Sequence, residues 1–150
     1  MSERIIRWQA NTRLGLGVND QIVGAAVGIW PLSGLGARLV WNIDMSNNAI
    51  LLDAGGETLA LDFKDGKIAS EVPLVLSEYK GTPTKSQQWS IILRPGYITS
   101  VADTSLVVDD KSRGVGPGNP AWAYVFNGSI AQQWRPMDPF QAAQELTDDA

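Results

Sequence analysis

Short apolar runs punctuate the chain, separated by clusters of Gly, Pro, Asn and Asp. Leu74-Val75-Leu76, Ile91-Ile92-Leu93 and Leu106-Val107-Val108 are typical runs; Asp65-Gly66, Pro95-Gly96 and Gly116-Pro117-Gly118-Asn119-Pro120 are typical breaks. Branched residues between turn formers predict many short strands, with Asp65-Gly66 as a hairpin turn. Only the end of the chain reads as a helix. Asp138-Pro139-Phe140-Gln141 offers a capping Asp, a Pro at the first helical position and a Gln three residues after the cap. Ala142 to Leu146 are good helix formers. A short helix or frayed tail is expected over 138–150, stable only if it packs.

The runs repeat. Ser86-Gln87-Gln88-Trp89 and Ala131-Gln132-Gln133-Trp134 end alike, 45 residues apart, and Leu39-Val40-Trp41 lies about one spacing earlier. Upstream of each Trp is a second shared element: Leu14-Gly15-Leu16-Gly17-Val18, Leu59-Ala60-Leu61-Asp62-Phe63 and Leu106-Val107-Val108-Asp109-Asp110. A third lies between them, as Val27-Gly28-Ile29-Trp30, Leu74-Val75-Leu76-Ser77 and Trp122-Ala123-Tyr124. Three elements in three copies define units over about 4–44, 49–93 and 97–137, within one domain over 1–137. One unit cannot bury its own apolar face, but three can pool theirs. Threefold repetition of short strands therefore selects an all-β closed barrel.

Composition narrows the chemistry. The chain has 150 residues, net charge −4, no Cys and no His. The absence of both types removes disulfides, thiolate and Ser-His-Asp chemistry, and the usual zinc ligands. Asp109-Asp110 is no glycosidase pair, because neighbours on a strand point to opposite faces. Asp62 with Asp65-Gly66 lacks the further ligands of a calcium loop. The expectation is a non-enzyme without metal or cofactor. Net negative charge argues against nucleic acid. No apolar stretch is long enough for a membrane helix or a signal peptide, so a cytoplasmic protein is expected, released if at all by another route. Asn127-Gly128-Ser129 has the form of a sequon, but Asn-Gly is a turn signal first.

Gln-x-Trp closing ~45-residue units, with an Asp about 25 residues earlier, resembles the ricin-type (R-type) β-trefoil lectin family, and specifically its cysteine-free fungal and bacterial members. The resemblance implies a six-stranded barrel capped by three hairpins with pseudo-threefold symmetry. It also implies a sugar site in each working unit. There an Asp accepts bonds from two hydroxyls, a ring stacks on the pyranose, and an Asn before the Gln-x-Trp, sometimes with the Gln itself, completes the polar contacts.

Carried over by unit, the match is uneven. The first unit keeps the ring, Trp30, but has Gly17 at the Asp position. The second keeps Asp62 and Gln87, with Ser77 at the ring position, Tyr79 nearby and Ser86 in place of the Asn. The third is best, with Asp109, Tyr124 and Gln132; Ala131 replaces the Asn, and Asn127 is a candidate to supply the amide instead. Other roles stay open for these residues. The Gln and Trp of Gln-x-Trp serve core and backbone, the Asp residues cap turns, and Trp30 or Tyr124 can be half-buried packing. The expected function is glycan binding, of galactose or N-acetylgalactosamine type. The competing expectation is a β-trefoil protease inhibitor acting through a rigid loop, with 54–58 and 113–121 as candidates. Trp8, Trp30 and Trp122 exceed what the repeat core needs and leave a homodimer contact open.

Overall fold

The structure, a computed structural model, describes residues 2–34 and 36–148. The last two residues of the expected tail lie outside the described residues. Among the described residues twelve strands follow one another: β1 (Ser2–Trp8), β2 (Leu14–Val18), β3 (Val27–Pro31), β4 (Val40–Asp44), β5 (Ala49–Asp53), β6 (Thr58–Phe63), β7 (Leu74–Glu78), β8 (Trp89–Ser90), β9 (Thr99–Ser100), β10 (Leu106–Asp110), β11 (Ala121–Val125) and β12 (Trp134–Met137). The fold is a β-trefoil. β1 pairs with β12 and β4, β4 with β5, and β8 with β9. Backbone bonds from Trp89 to Asn48 (2.6 Å) and from Trp134 to Gly96 (2.8 Å) continue the barrel. The three hairpins are β2–β3, β6–β7 and β10–β11.

Trp41, Trp89 and Trp134 repeat one interaction. Each indole N–H donates to a backbone carbonyl of its own unit's first hairpin strand: Leu16 at 2.9 Å, Leu61 at 3.0 Å and Val108 at 3.0 Å. All three rings are buried within one core, with Leu16, Leu61, Phe63 and Val108. Trp8 joins them: it is buried beside Trp134 and bonds to the Ala131 carbonyl, so it is core rather than a surface contact.

A cyclic clasp closes the hairpin end. Gly24 N–H donates to Leu76 O and Leu76 N–H to Ala25 O. The same pair of bonds runs from Glu71 to Ala123 and Ala123 to Val72, and from Gly118 to Ile29 and Ile29 to Asn119. Each unit's loop thus holds the next unit's hairpin. Gly24, Glu71 and Gly118 lie 47 residues apart in turn. All three take a left-handed backbone, with φ of 87°, 67° and 83°.

Two local expectations need correction. Ile91-Ile92-Leu93 is not a strand: the Ser90 hydroxyl accepts the amides of Ile92 and Leu93, which turns the chain outward and leaves both side chains exposed. Asp65-Gly66 is a turn, but it opens the long connection from β6 to β7 rather than closing a tight hairpin.

The helix α1 (Pro139–Asp148) forms as its cap predicts: Asp138 Oδ1 accepts the amides of Phe140 (2.9 Å) and Gln141 (3.3 Å). It is held by packing. Ala142 is buried with Ile5, Leu39 and Met137, and Glu145 pairs with the buried Arg7 of β1.

Candidate functional site

The hairpins set one question three times: what faces the first hairpin strand where the second unit has Asp62 and the third Asp109? Antiparallel register places Gly28, Val75 and Trp122 opposite Gly17, Asp62 and Asp109. Two residues further along the second strand, on the same face, come Trp30, Ser77 and Tyr124.

In the third unit these positions make a cavity of about 320 Å³, walled by Asp109, Trp122, Tyr124 and Asn127 with Glu71 and Arg113. The Trp122 and Tyr124 rings stack, 5.4 Å apart and 18° from parallel. Trp122 donates its indole N–H to Asp109 Oδ1 at 2.9 Å, which fixes the carboxylate against the aromatic wall. Burial pushes the Asp109 carboxyl above its usual range, opposed by bonds from Trp122 and Gln132 and by the charge of Arg113. Asn127 Oδ1 accepts the Ser129 amide, so its NH₂ remains to donate. Gln132 stands behind the wall, fully buried. Its amide donates to Val125 O (3.0 Å) and its carbonyl accepts the Asn127 N–H (3.0 Å). It positions Asp109 and the Asn127 loop rather than facing the cavity.

The second unit builds the same frame and leaves it bare. Gln87 accepts from Thr84 N–H and donates to Glu78 O (3.0 Å) and, at 3.4 Å, to Asp62 Oδ2. Asp62 is buried, and its Oδ1 has no hydrogen-bond partner. The adjoining hollow of about 360 Å³ is lined by Val23, Lys64, Gly66 and Ser77, without Asp62 and without a ring. Tyr79 packs instead on Ala49, Leu51 and Ala60.

The first unit is filled. A Cβ on Gly17 would sit 2.7 Å from Leu39 Cδ2 and 2.9 Å from the Arg38 carbonyl oxygen. Trp30 packs with Leu39, Ile5 and Met137 beneath α1, and its indole nitrogen is buried without a partner. Trp30 therefore stands apart from the other candidate residues, as half-buried packing. Gly17→Asp is expected to lower stability by at least about 1–3 kcal/mol, through overpacking and an unpaired buried carboxylate, without creating a binding site. A lower unfolding midpoint in urea and unchanged ligand binding check it.

No family model matches the chain, and no curated protein sequence does. Solved structures do match. The designed 3-fold symmetric protein ThreeFoil is 22% identical, with TM-score 0.75 over 91% of this chain and 98% of its own. The earthworm R-type lectin C-half in complex with GalNAc is 16% identical, with TM-score 0.71 over 91% and 98%. The Rhizoctonia solani agglutinin is 17% identical, with TM-score 0.69 over 91% and 94%. At these identities the likeness establishes the fold.

Sequence reasoning missed Glu71 and the Trp122–Asp109 bond, and it placed Arg113 in a candidate inhibitor loop rather than at this cavity. One signal for Glu71 was present: it interrupts the 47-residue series of Gly24 and Gly118. Of the two candidate inhibitor loops, 113–121 is tied down. Asn119 bonds Asp110 and the Lys111 carbonyl, and Gly118 bonds Ile29. The 54–58 segment is a tight turn, with Ala54 N–H on Glu57 O.

Proposed function

We propose that the chain is a carbohydrate-binding β-trefoil of the ricin B-like kind, working through the third unit alone. One observation carries this reading. Among the described residues, it is in the third unit that a buried carboxylate lines an open cavity beside stacked rings and an amide donor. Asp109 accepts sugar hydroxyls, the Trp122–Tyr124 pair covers the apolar face of the pyranose, and Asn127 donates. The likeness to a lectin solved with GalNAc supports a galactose- or N-acetylgalactosamine-type ligand.

A glycan array followed by calorimetry tests it. Asp109→Ala is expected to weaken binding by about 1.5–3 kcal/mol, or roughly 10- to 150-fold, while Asp62→Ala leaves it unchanged. Binding should fade in acid at a pH above the ordinary carboxylate range, because the ionised form is the acceptor. If no glycan binds and micromolar protein slows papain, trypsin or pepsin, the lectin reading is wrong and the loops carry the function.

A further inference from the structure

Among the described residues, five non-glycines take a left-handed φ: Asn48, Asp65, Glu71, Ser112 and Arg113. Asn and Asp tolerate this region best; longer side chains do not. Three of the five, Glu71, Ser112 and Arg113, line the third-unit cavity; Ser112 matches Asp65, which lines the second-unit hollow, and so Glu71 and Arg113 are the two peculiar to the third. Pseudosymmetry shows what those places otherwise hold. Glu71 (φ 67°) stands where the other units have Gly24 and Gly118, and the clasp bond from its N–H to Ala123 O fixes its place. Arg113 (φ 55°) closes the turn Lys111–Arg113, whose second-unit counterpart, Lys64–Gly66, ends in glycine. Both strained residues are exposed, carry opposite charges and border one cavity. Strain retained around one cavity points to a role for the side chains rather than for the backbone.

We propose that Glu71, lent by the second unit, and Arg113 are the specificity-determining residues of the third-unit site, selecting uncharged glycans. This rests on the carbohydrate reading above. A hydroxyl donates to a carboxylate and accepts from a guanidinium, so the pair matches neutral polyols. A sugar acid meets Glu71 and Asp109 as like charges, with Arg113 alone to attract it, whereas for a protonated amino sugar Arg113 offsets the pull of the two carboxylates.

Calorimetry at pH 6 with N-acetylgalactosamine, galacturonic acid and galactosamine tests the assignment on the full chain. The wild type should prefer N-acetylgalactosamine. Glu71→Gly and Glu71→Gln should each lose about three- to tenfold of that affinity and narrow the gap to galacturonic acid. Arg113→Gly and Arg113→Gln should do the same toward galactosamine. The glycine variants should also melt higher than the wild type, whereas the glutamine variants keep the strain and should not. Wild-type binding that all four variants leave unchanged in affinity and selectivity overturns the assignment while sparing the carbohydrate reading. A wild type that binds none of the three sugars, nor any on the array, overturns both.

Discussion

Trp134→Ala is expected to destabilise the protein by about 3–5 kcal/mol, and Trp41→Ala and Trp89→Ala by amounts in the same range. Each ring is almost wholly buried, so truncation leaves a cavity that a closed barrel cannot collapse. Each substitution also strips a donor from a strand carbonyl, at Val108, Leu16 or Leu61. Trp89→Ala should be the worst of the three, because Phe63 stacks on that ring at 5.0 Å and 15° and loses its partner. A domain of this size is commonly stable by only about 5–15 kcal/mol, so each variant sits near the edge of folding. Urea denaturation of the three single variants measures the losses. A near-neutral Trp41→Ala beside two severe partners would show that the first unit does not share the others' architecture.

That equivalence explains why the architecture was legible in the sequence. Gln87 and Gln132 each satisfy backbone groups at both ends of the side-chain amide, and each Trp bonds a carbonyl of its own hairpin. These are local chemical demands: all three units bond the hairpin carbonyl with a Trp, and the second and third satisfy the backbone groups with a Gln, at similar spacings. Where a demand lapses, the residue drifts. Leu39 stands in the place of the Gln in the first unit, where Gly17 carries no carboxylate and Leu39 Cδ2 fills the space against it. Ile91 to Leu93 misled because an apolar run carries no mark of the Ser90 hydroxyl that bends it outward.

The site was less legible, for a physical reason. Asp109, Tyr124 and Asn127 share one wall because strand register and one turn bring them together, and both are local. Glu71 arrives from another unit through the clasp, so no spacing within the third unit announces it. Gln132 carries the expected residue type but faces inward. The identity of a side chain records which bonds are needed; which way it points depends on neighbours remote in the chain.

Raising the pH from about 4 to about 6 should cost stability, and Asp110 is the main cause. Its side chain is fully buried. Oδ1 accepts Asn119 Nδ2 at 2.8 Å, and Oδ2 is buried with no partner. Burial, reinforced by the charge of Asp109 and opposed by the Asn119 bond, pushes the carboxyl up to about 6 from 3.8. Below 3.8 the folded and unfolded chains both hold the proton. Between 3.8 and about 6 the unfolded chain has lost it while the folded chain keeps it, so folding weakens as pH rises. Above about 6 the loss is complete, near 3 kcal/mol at about 1.4 kcal/mol per pH unit. Asp110→Asn keeps an acceptor for Asn119 and carries no charge. It should be more stable than the wild type at pH 7 by about 2–3 kcal/mol, and the two should converge near pH 4. Asp109 is raised in the same direction, so the variant keeps a shallower slope of the same sign. Denaturant unfolding of both proteins from pH 4 to 7 reads the difference directly. A gap that stays constant across that range would mean that Asp110 titrates as it does in the unfolded chain, and that its buried oxygen is hydrated.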